Sequence, residues 1–221
     1  MTAAVDFDWE WVGEHLDLIG SLLLDHVVLT VLAVGIGLAI SFPLAVLAHR
    51  NRRLFPPITW VAGILYTIPS LALFALLVPF TGLTKVTAEI GLVSYTLLIL
   101  IRNIVVGLAG VPADTKEAAR GMGYTDRQML WRVELPLALP AVVAGIRIAT
   151  VTTIGLVTVS AIITEGGLGQ LILDALQRRL DFTMAITGGG LSLLLAITAD
   201  VLLVGVQRVL TPWARERVLA R

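Results

Sequence analysis

Long apolar runs alternate with short charged segments along this chain. Residues 27–48 contain no charged side chain over 22 positions, and residues 54–84 contain none over 31. A helix needs about 20 apolar residues to cross the hydrocarbon core of a bilayer. The pattern therefore predicts an all-α, polytopic membrane protein. Its five spans are expected at about residues 20–48, 57–82, 87–110, 137–163 and 183–207.

Composition supports this prediction and narrows the chemistry. Hydrophobic residues make up 57% of the 221 residues and charged residues 14%, with a mean hydropathy of +0.91, whereas a soluble domain has roughly 25% charged residues. The chain has no cysteine, which excludes disulfides and thiolate metal sites. The sequence shows neither the paired carboxylates nor the serine–histidine set that would indicate an enzyme. The histidines also lack the spacing of metal ligands. We therefore expect no catalytic residue and no metal site.

Basic residues are distributed unevenly over the two sides of the predicted spans. Eleven lie on one side and three on the other. Because basic loops stay in the cytoplasm, the richer side is predicted to be cytoplasmic, with the N-terminus outside and the C-terminus inside. The eleven are Arg50, Arg52, Arg53, Lys116, Arg120, Arg127, Arg132, Arg208, Arg215, Arg217 and Arg221. The three are Lys85, Arg178 and Arg179.

The two ends of the chain flank a transmembrane domain predicted at residues 20–210. Residues 1–19 are acidic, carry Trp9 and Trp11, and place apolar side chains at helical spacing. That pattern is typical of an amphipathic helix on the outer membrane surface, and a frayed acidic tail is the alternative. A basic signal-peptide start is absent, so the first span is expected to direct insertion. Residues 211–221 are expected to form a cytoplasmic tail.

A polar segment, residues 111–136, separates the third and fourth spans and is called the charged loop below. Asp114 with Glu117 and Thr125 with Gln128 predict two capping boxes, each opening a short helix. Such short helices are marginal alone in water, so they need a surface to pack against. The loop either only connects two spans or docks on a separate subunit. The first helix is expected to end, with one glycine in the left-handed conformation, at Gly121 and Gly123.

The charged loop resembles the EAA signature of ABC-importer permeases, with valine where isoleucine is usual. In that family the loop forms a coupling helix, which sits in a cleft of the ATPase subunit and transmits its closure to the membrane helices. The resemblance implies a type I importer fold and a docking role for the residues that match the signature. These are Glu117, Ala118, Ala119, Gly123, Val133, Leu135 and Pro136.

Further stretches resemble the osmoprotectant branch of that family, whose members carry glycine betaine, choline or carnitine. The matching stretches are residues 67–73, 102–103, 145–147 and 166–169. The chain departs from the branch pattern at Tyr66, at Ile104 and at residues 164–165. The alternatives are a permease for methionine, another amino acid or another betaine-like solute, and, ranked lower, an ion-coupled secondary transporter.

A proline in mid-span points to a candidate translocation pathway. Pro69 predicts a kink, with Thr67 and Ser70 placed to bind the freed carbonyl oxygens. Interrupted helices commonly line transporter passages, although an ordinary kinked packing helix is equally compatible with this pattern. Arg102 either lines the cytoplasmic end of the pathway or extends to the inner headgroups. The candidate pathway residues are Tyr66, Thr67, Pro69, Ser70, Arg102 and Asn103.

Two other charges fall within the predicted spans. Arg147 is expected either to extend to the headgroups or to pair with a neighbouring helix. Asp200 is predicted to be a structural partner of a nearby polar group, with proton coupling as the weaker alternative. Aromatic residues make up only 6% of the chain and form no evident cage for a quaternary ammonium. Recognition is therefore expected to rest with an extracytoplasmic solute-binding protein.

The resemblance also implies partners and cofactors. No phosphate-loop motif occurs in the sequence, so the chain is expected to hold no cofactor, and ATP and Mg²⁺ are expected on the partner ATPase. The implied complex contains that ATPase, a second permease of the same or a homologous chain, and a solute-binding protein. It would lie in the lipid of the bacterial plasma membrane, with no role in binding nucleic acid.

Overall fold

The computed structural model describes residues 7–164, 166–177 and 181–214. Within these ranges the chain is all-α, as predicted. A π-helical turn, Leu130–Glu134, joins α7 to α8, and a short 3₁₀ turn, Pro212–Ala214, follows α10. The helices are α1 (Trp9–Glu14), α2 (Leu16–Arg50), α3 (Phe55–Thr67), α4 (Ser70–Thr81), α5 (Lys85–Ala109), α6 (Ala113–Gly121), α7 (Asp126–Met129), α8 (Leu135–Ser160), α9 (Gly169–Gln177) and α10 (Phe182–Leu210).

Some predicted features fall outside the described residues. They include the start of the N-terminal segment, residues 1–6, and one departure from the osmoprotectant pattern, Glu165. They also include five basic residues that were used to predict the orientation. These are Arg178, Arg179, Arg215, Arg217 and Arg221.

In the part of the chain that the structure describes, four helices are long and apolar enough to cross a bilayer, and counting one bent pair as a span gives five, the predicted number. Four are continuous apolar helices, namely α2, α5, the joined helix Asp126–Ser160, and α10. The fifth is the pair α3 and α4, bent by 95°. A single kinked helix over residues 57–82 was therefore the wrong prediction. Pro69 disfavours helical geometry in the preceding residue, and Ile68 is accordingly extended, with ψ at 128°.

The first span begins earlier than predicted. α1 covers only Trp9–Glu14, where the side chain of Asp8 accepts a hydrogen bond of 2.9 Å from the Trp11 N–H. After His15 the chain continues as α2 from Leu16. The last four residues of the segment expected to form a separate surface helix, residues 16–19, therefore belong to the first long helix, because their apolar positions continue the same helical spacing.

α5 lies at the centre of the fold and packs against α2, α3, α4 and α8. Small residues allow these helices to approach closely, since Gly37 of α2 faces Thr96 and Gly145 of α8 faces Asn103. α10 is different, because only 6% of its most apolar stretch is buried, against 50% for α5. The described chain thus has a packed centre and one helix that is largely exposed.

An ion pair joins α8 to α10. The Arg147 guanidinium donates to both carboxylate oxygens of Asp200 at 3.0 and 3.1 Å, and to Gln207 Oε1 at 3.2 Å. Pairing lowers the cost of placing charges in an apolar environment. The prediction that Asp200 is a structural partner of a polar group is confirmed, and Arg147 pairs with a neighbouring helix.

The Gly-Gly-Leu-Gly stretch makes a tight turn between α8 and α9. Gly167 has φ of 73°, a conformation that favours glycine, and Gly169 approaches the α8 backbone at Thr158 so closely that no side chain fits. The Leu168 N–H donates to Nδ1 of the buried His26, at 3.2 Å. The His26 Nε2–H therefore donates to the Ile154 carbonyl oxygen, at 3.0 Å, so that one neutral histidine joins α2, α8 and the turn.

Candidate functional sites in the charged loop and the broken span

The first helix of the charged loop begins two residues earlier than predicted, because its N-cap residue is Pro112 and not Asp114. α6 starts at Ala113, with Pro112 as its N-cap residue and no side-chain cap. The predicted capping box of Asp114 with Glu117 is therefore wrong, because Asp114 already lies inside the first turn. Proline fits just before a helix since it lacks an N–H, and Asp114 then interacts favourably with the positive end of the helix dipole.

The end of α6 has the geometry expected of a glycine cap. Gly123 has φ of 82°, its N–H donates to the Arg120 carbonyl oxygen at 2.9 Å, and the Tyr124 N–H donates to the Ala119 carbonyl oxygen at 3.1 Å. These two bonds form a Schellman motif. The predicted left-handed glycine is Gly123. The motif gives the loop a sharp and well-defined corner.

The second capping box is confirmed. The Thr125 hydroxyl accepts from the Gln128 N–H at 3.3 Å, and the Gln128 side chain accepts from the Thr125 N–H at 2.9 Å. The helix that begins there continues through the π-helical turn into α8, which starts at Leu135. Pro136 has no N–H to donate, which favours the locally wider turn.

The signature residues divide into an exposed and an internal group. Glu117, Ala118 and Gly123 are exposed, and next to them Met122 is 70% exposed. Ala119 is only 2% exposed. The other internal members are half-buried, namely Val133, Leu135 and Pro136. The exposed group includes two small residues, Ala118 and Gly123, at a corner, whereas the internal group packs the loop against its own chain.

A buried carboxylate connects the charged loop to the long helices. Glu134 is 8% exposed, and its Oε1 lies 2.9 Å from Lys116 Nζ and 3.3 Å from His49 Nε2. Lys116 Nζ also donates to the Leu108 carbonyl oxygen at 3.3 Å. We call His49, Lys116 and Glu134 the Glu134 cluster. It joins the ends of α2 and α5 to α6 and to the π-helical turn.

The break between α3 and α4 brings two tyrosines together. The Tyr66 and Tyr95 ring centroids are 5.9 Å apart, with an interplanar angle of 65°. The Tyr95 hydroxyl donates to the Ile68 carbonyl oxygen, and the Thr67 hydroxyl donates to the Ile64 carbonyl oxygen at 2.9 Å. Thr67 thus binds a carbonyl near the break as predicted, whereas the Ile68 carbonyl is bound by Tyr95 and not by Ser70.

The remaining candidate pathway residues point in different directions. Pro69 is exposed at the break, and Arg102 is exposed on α5. Asn103 instead packs against Gly145 of α8, and its side-chain amide donates to the Ile99 carbonyl oxygen at 2.8 Å. The two residues of the Arg-Asn pair therefore have different surroundings. Asn103 packs between α5 and α8, whereas Arg102 faces outward.

Comparison with known proteins identifies the family. Residues 31–216 match the family described as binding-protein-dependent transport system inner membrane component. The chain belongs to this family. It is 41% identical to the osmoprotectant import permease protein OsmW of Salmonella typhimurium, over 88% of this chain and 92% of that protein. It is 35% identical to the choline transport system permease protein OpuBB of Bacillus subtilis, over 88% and 89% of the two chains.

Solved structures confirm the fold. The permease matches a chain of the inward-facing MetNI methionine ABC transporter with a TM-score of 0.82, covering 90% of this chain and 98% of that one. An amino acid ABC transporter gives a TM-score of 0.76. At 23% and 19% identity these likenesses concern the fold alone. The predicted type I importer permease fold and the multi-pass location in the bacterial plasma membrane are confirmed.

Several residues of these sites escaped the sequence patterns. Lys116 and Glu134 are 18 positions apart, and His49 lies at the end of another helix, so no local spacing connects them. One local signal pointed to Glu134 as a buried charge, because it lies between the apolar residues Val133 and Leu135. Tyr95 was missed for a similar reason, since its partner at the break is 29 positions away.

Proposed function

We propose that this permease is the membrane subunit of an ATP-driven importer of osmoprotectants such as glycine betaine, choline or carnitine. One observation carries the substrate class, namely the 41% identity to an osmoprotectant import permease over nearly the full length of both chains. The 34% identity to a glycine betaine/carnitine/choline permease of Bacillus subtilis supports the same class. The likeness to the methionine transporter is weaker in sequence and supports the fold only.

The charged loop is the element that receives movement from a separate ATPase. Its exposed group, Glu117, Ala118 and Gly123, lies on a corner fixed by two caps, where small side chains allow close approach of a partner. The Glu134 cluster then connects this corner to α2 and α5. In this proposal the loop faces the cytoplasm, and the ATPase supplies the ATP and Mg²⁺ sites.

The passage forms beside α5 and the broken span, where Tyr66, Thr67 and Arg102 are exposed. A second permease chain completes it, and a solute-binding protein delivers the substrate from outside. The large exposed surface of α10 supports assembly with further membrane-embedded protein or lipid. The permease itself contributes no catalytic residue in this proposal.

Reconstitution tests the proposed function. The permease would be co-expressed and purified with candidate ATPase and solute-binding subunits from the same organism, and placed in liposomes. Uptake of radiolabelled glycine betaine, choline, carnitine and methionine is measured with ATP or ADP as the nucleotide. We expect ATP-dependent uptake of at least one osmoprotectant. ATP-dependent uptake of methionine alone, or uptake driven by an ion gradient without ATP, would contradict the proposal.

A further inference from the structure

The break between α3 and α4 presents an aromatic surface. Tyr95 is 6% exposed, and its position is fixed by the hydrogen bond from its hydroxyl to the Ile68 carbonyl oxygen. Tyr66 packs against it at 5.9 Å and remains 39% exposed. An aromatic ring attracts a cation through the negative potential of its face, most strongly where little water intervenes. The exposed Tyr66 ring therefore offers a place for a cation.

The end of α3 adds to the attraction for a cation. α3 ends at Thr67, one residue after Tyr66, so Tyr66 belongs to the last turn of the helix, where the free carbonyl groups lie. These groups carry the partial negative charge of the helix dipole, since helical N–H groups do not reach them. The Ile64 carbonyl is bound by a hydroxyl, which leaves the sign of this charge unchanged. Ring and helix end thus favour the same kind of group.

Arg102 offers the opposite charge on the same face of α5. It follows Tyr95 by seven residues, which is nearly two helical turns, or about 10 Å along the axis. Helical side chains lean toward the N-terminus, a direction that brings a side chain as long as that of arginine from position 102 back toward the Tyr95 turn. It is exposed, and the ion pairs among the described residues do not include it.

The contrast with the other intramembrane arginine is informative. Arg147 is neutralised by Asp200 and Gln207 within the chain. Charged side chains within membrane spans are costly, and they usually face a cavity or a partner group. Among the described residues Arg102 has no acidic partner, so an anionic group arriving from elsewhere would satisfy it.

We propose that Tyr66 and Arg102 are the two ends of a subsite for a zwitterion with a quaternary ammonium group and a carboxylate. The ammonium lies on the Tyr66 ring at the end of α3, and the carboxylate binds the Arg102 guanidinium. This proposal rests on the proposed function, because it supplies the membrane site for that substrate class. It adds a charge-based selection step inside the passage, after delivery by the binding protein.

Glycine betaine and choline separate the two ends of the subsite. Both carry a trimethylammonium group, but choline has a hydroxyl where glycine betaine has a carboxylate. Arg102→Gln should lower the maximal rate of ATP-driven glycine betaine uptake about tenfold, the effect of losing one hydrogen bond to a charged group. Choline uptake in the same preparation should stay unchanged or increase, because a repelling positive charge has been removed.

Substitution of Tyr66 should change the uptake rates of both substrates. Tyr66→Leu removes the aromatic face and should slow glycine betaine and choline uptake alike, whereas Tyr66→Phe should keep both. Arg102→Lys keeps the positive charge and should retain most glycine betaine uptake. Arg53→Gln, at an exposed loop position, is the matched control for removing one arginine and should leave both rates unchanged. All rates are measured in the reconstituted complex with saturating binding protein.

The outcomes distinguish the subsite from the proposed function. If the wild-type complex imports none of glycine betaine, choline and carnitine, the proposed function fails and the subsite fails with it; if it imports carnitine alone, the same variants are measured with carnitine, which carries both charged groups. If it imports them but Arg102→Gln slows both equally, or Arg102→Lys is as defective as Arg102→Gln for glycine betaine, only the subsite is overturned. The ratio of the two uptake rates in one preparation does not change when a variant merely assembles poorly. If choline is not a substrate, the lysine and glutamine variants decide with glycine betaine alone.

Discussion

The charged loop and the broken span treat their polar groups in opposite ways. In the loop, Glu134 is buried and paired with two basic side chains, and both helix ends at the corner are capped. At the break, Tyr66, Thr67 and Pro69 are exposed, and Arg102 on α5 is exposed as well. Internal pairing makes a segment rigid, whereas the exposed groups at the break remain available to other molecules.

This difference separates two tasks within one small fold. A segment that transmits movement must keep its shape, because a corner that yields would absorb the displacement. A segment that substrates pass must keep groups that bind weakly and release again. The polar groups of the loop therefore form hydrogen bonds within the chain, whereas part of the polar surface at the break stays exposed.

Charge reversal on the exposed corner should have the largest effect. Glu117→Lys changes an exposed side chain that makes no packing contribution to the core, so the permease should still insert and fold. We expect ATP-driven uptake to be lost, because the corner no longer fits its partner. Glu14→Lys, the same reversal on exposed α1, is the control and should retain uptake. Normal coupled uptake by Glu117→Lys would show that the corner is not the docking surface.

The second prediction concerns the Glu134 cluster. Glu134→Gln leaves Lys116 facing a neutral amide at a largely buried site, which should destabilise the complex by about 1–3 kcal/mol. Thermal unfolding of the purified complex measures this loss. In the double variant Lys116→Met with Glu134→Gln, no unpaired charge remains, so part of the stability should return. If the two single effects simply add in the double variant, the ion pair contributes nothing of its own.

Much of this architecture was predictable from the sequence, because apolar run length and capping residues act locally. The five spans, the Thr125 capping box and the left-handed glycine all follow from short-range patterns. The prediction of an Asp114 cap was wrong because two local rules competed. Pro112 is the N-cap residue, so the helix already includes Asp114. The bend at Pro69 is larger than expected, because a proline within a helical pattern predicts a kink but not the angle between the two helices.

The parts that sequence reasoning missed depend on tertiary contacts. The partners of Glu134 come from two other segments, and the ring that packs on Tyr66 comes from α5. His26 is a further case, since its two ring nitrogens contact groups more than 120 positions away. Such pairs have no fixed spacing, so a single sequence gives no signal beyond a polar residue in an apolar stretch.

The third prediction isolates the shape of the corner from its chemistry. A Cβ at Gly123 or at Gly121 would meet no atom within 4 Å, but only Gly123 has a positive φ. Gly123→Ala should therefore cost about 1 kcal/mol of backbone strain and lower coupled uptake several-fold. Gly121→Ala lies in the helix and should be neutral or slightly stabilising. Equal effects of the two variants on unfolding temperature and uptake would show that the left-handed corner is unimportant.

The smallest expected effect tests whether the break is held in place at all. Tyr95→Phe removes the hydroxyl that donates to the Ile68 carbonyl oxygen but keeps the ring against Tyr66, which should cost about 1 kcal/mol. Backbone hydrogen exchange around residues 66–72 should then increase, because α3 and α4 are less firmly joined. Tyr66→Phe removes the hydroxyl of the more exposed ring and serves as the matched control. If both variants exchange at the same rate, the break is held by helix packing alone, and its open surface owes nothing to the tyrosine hydrogen bond.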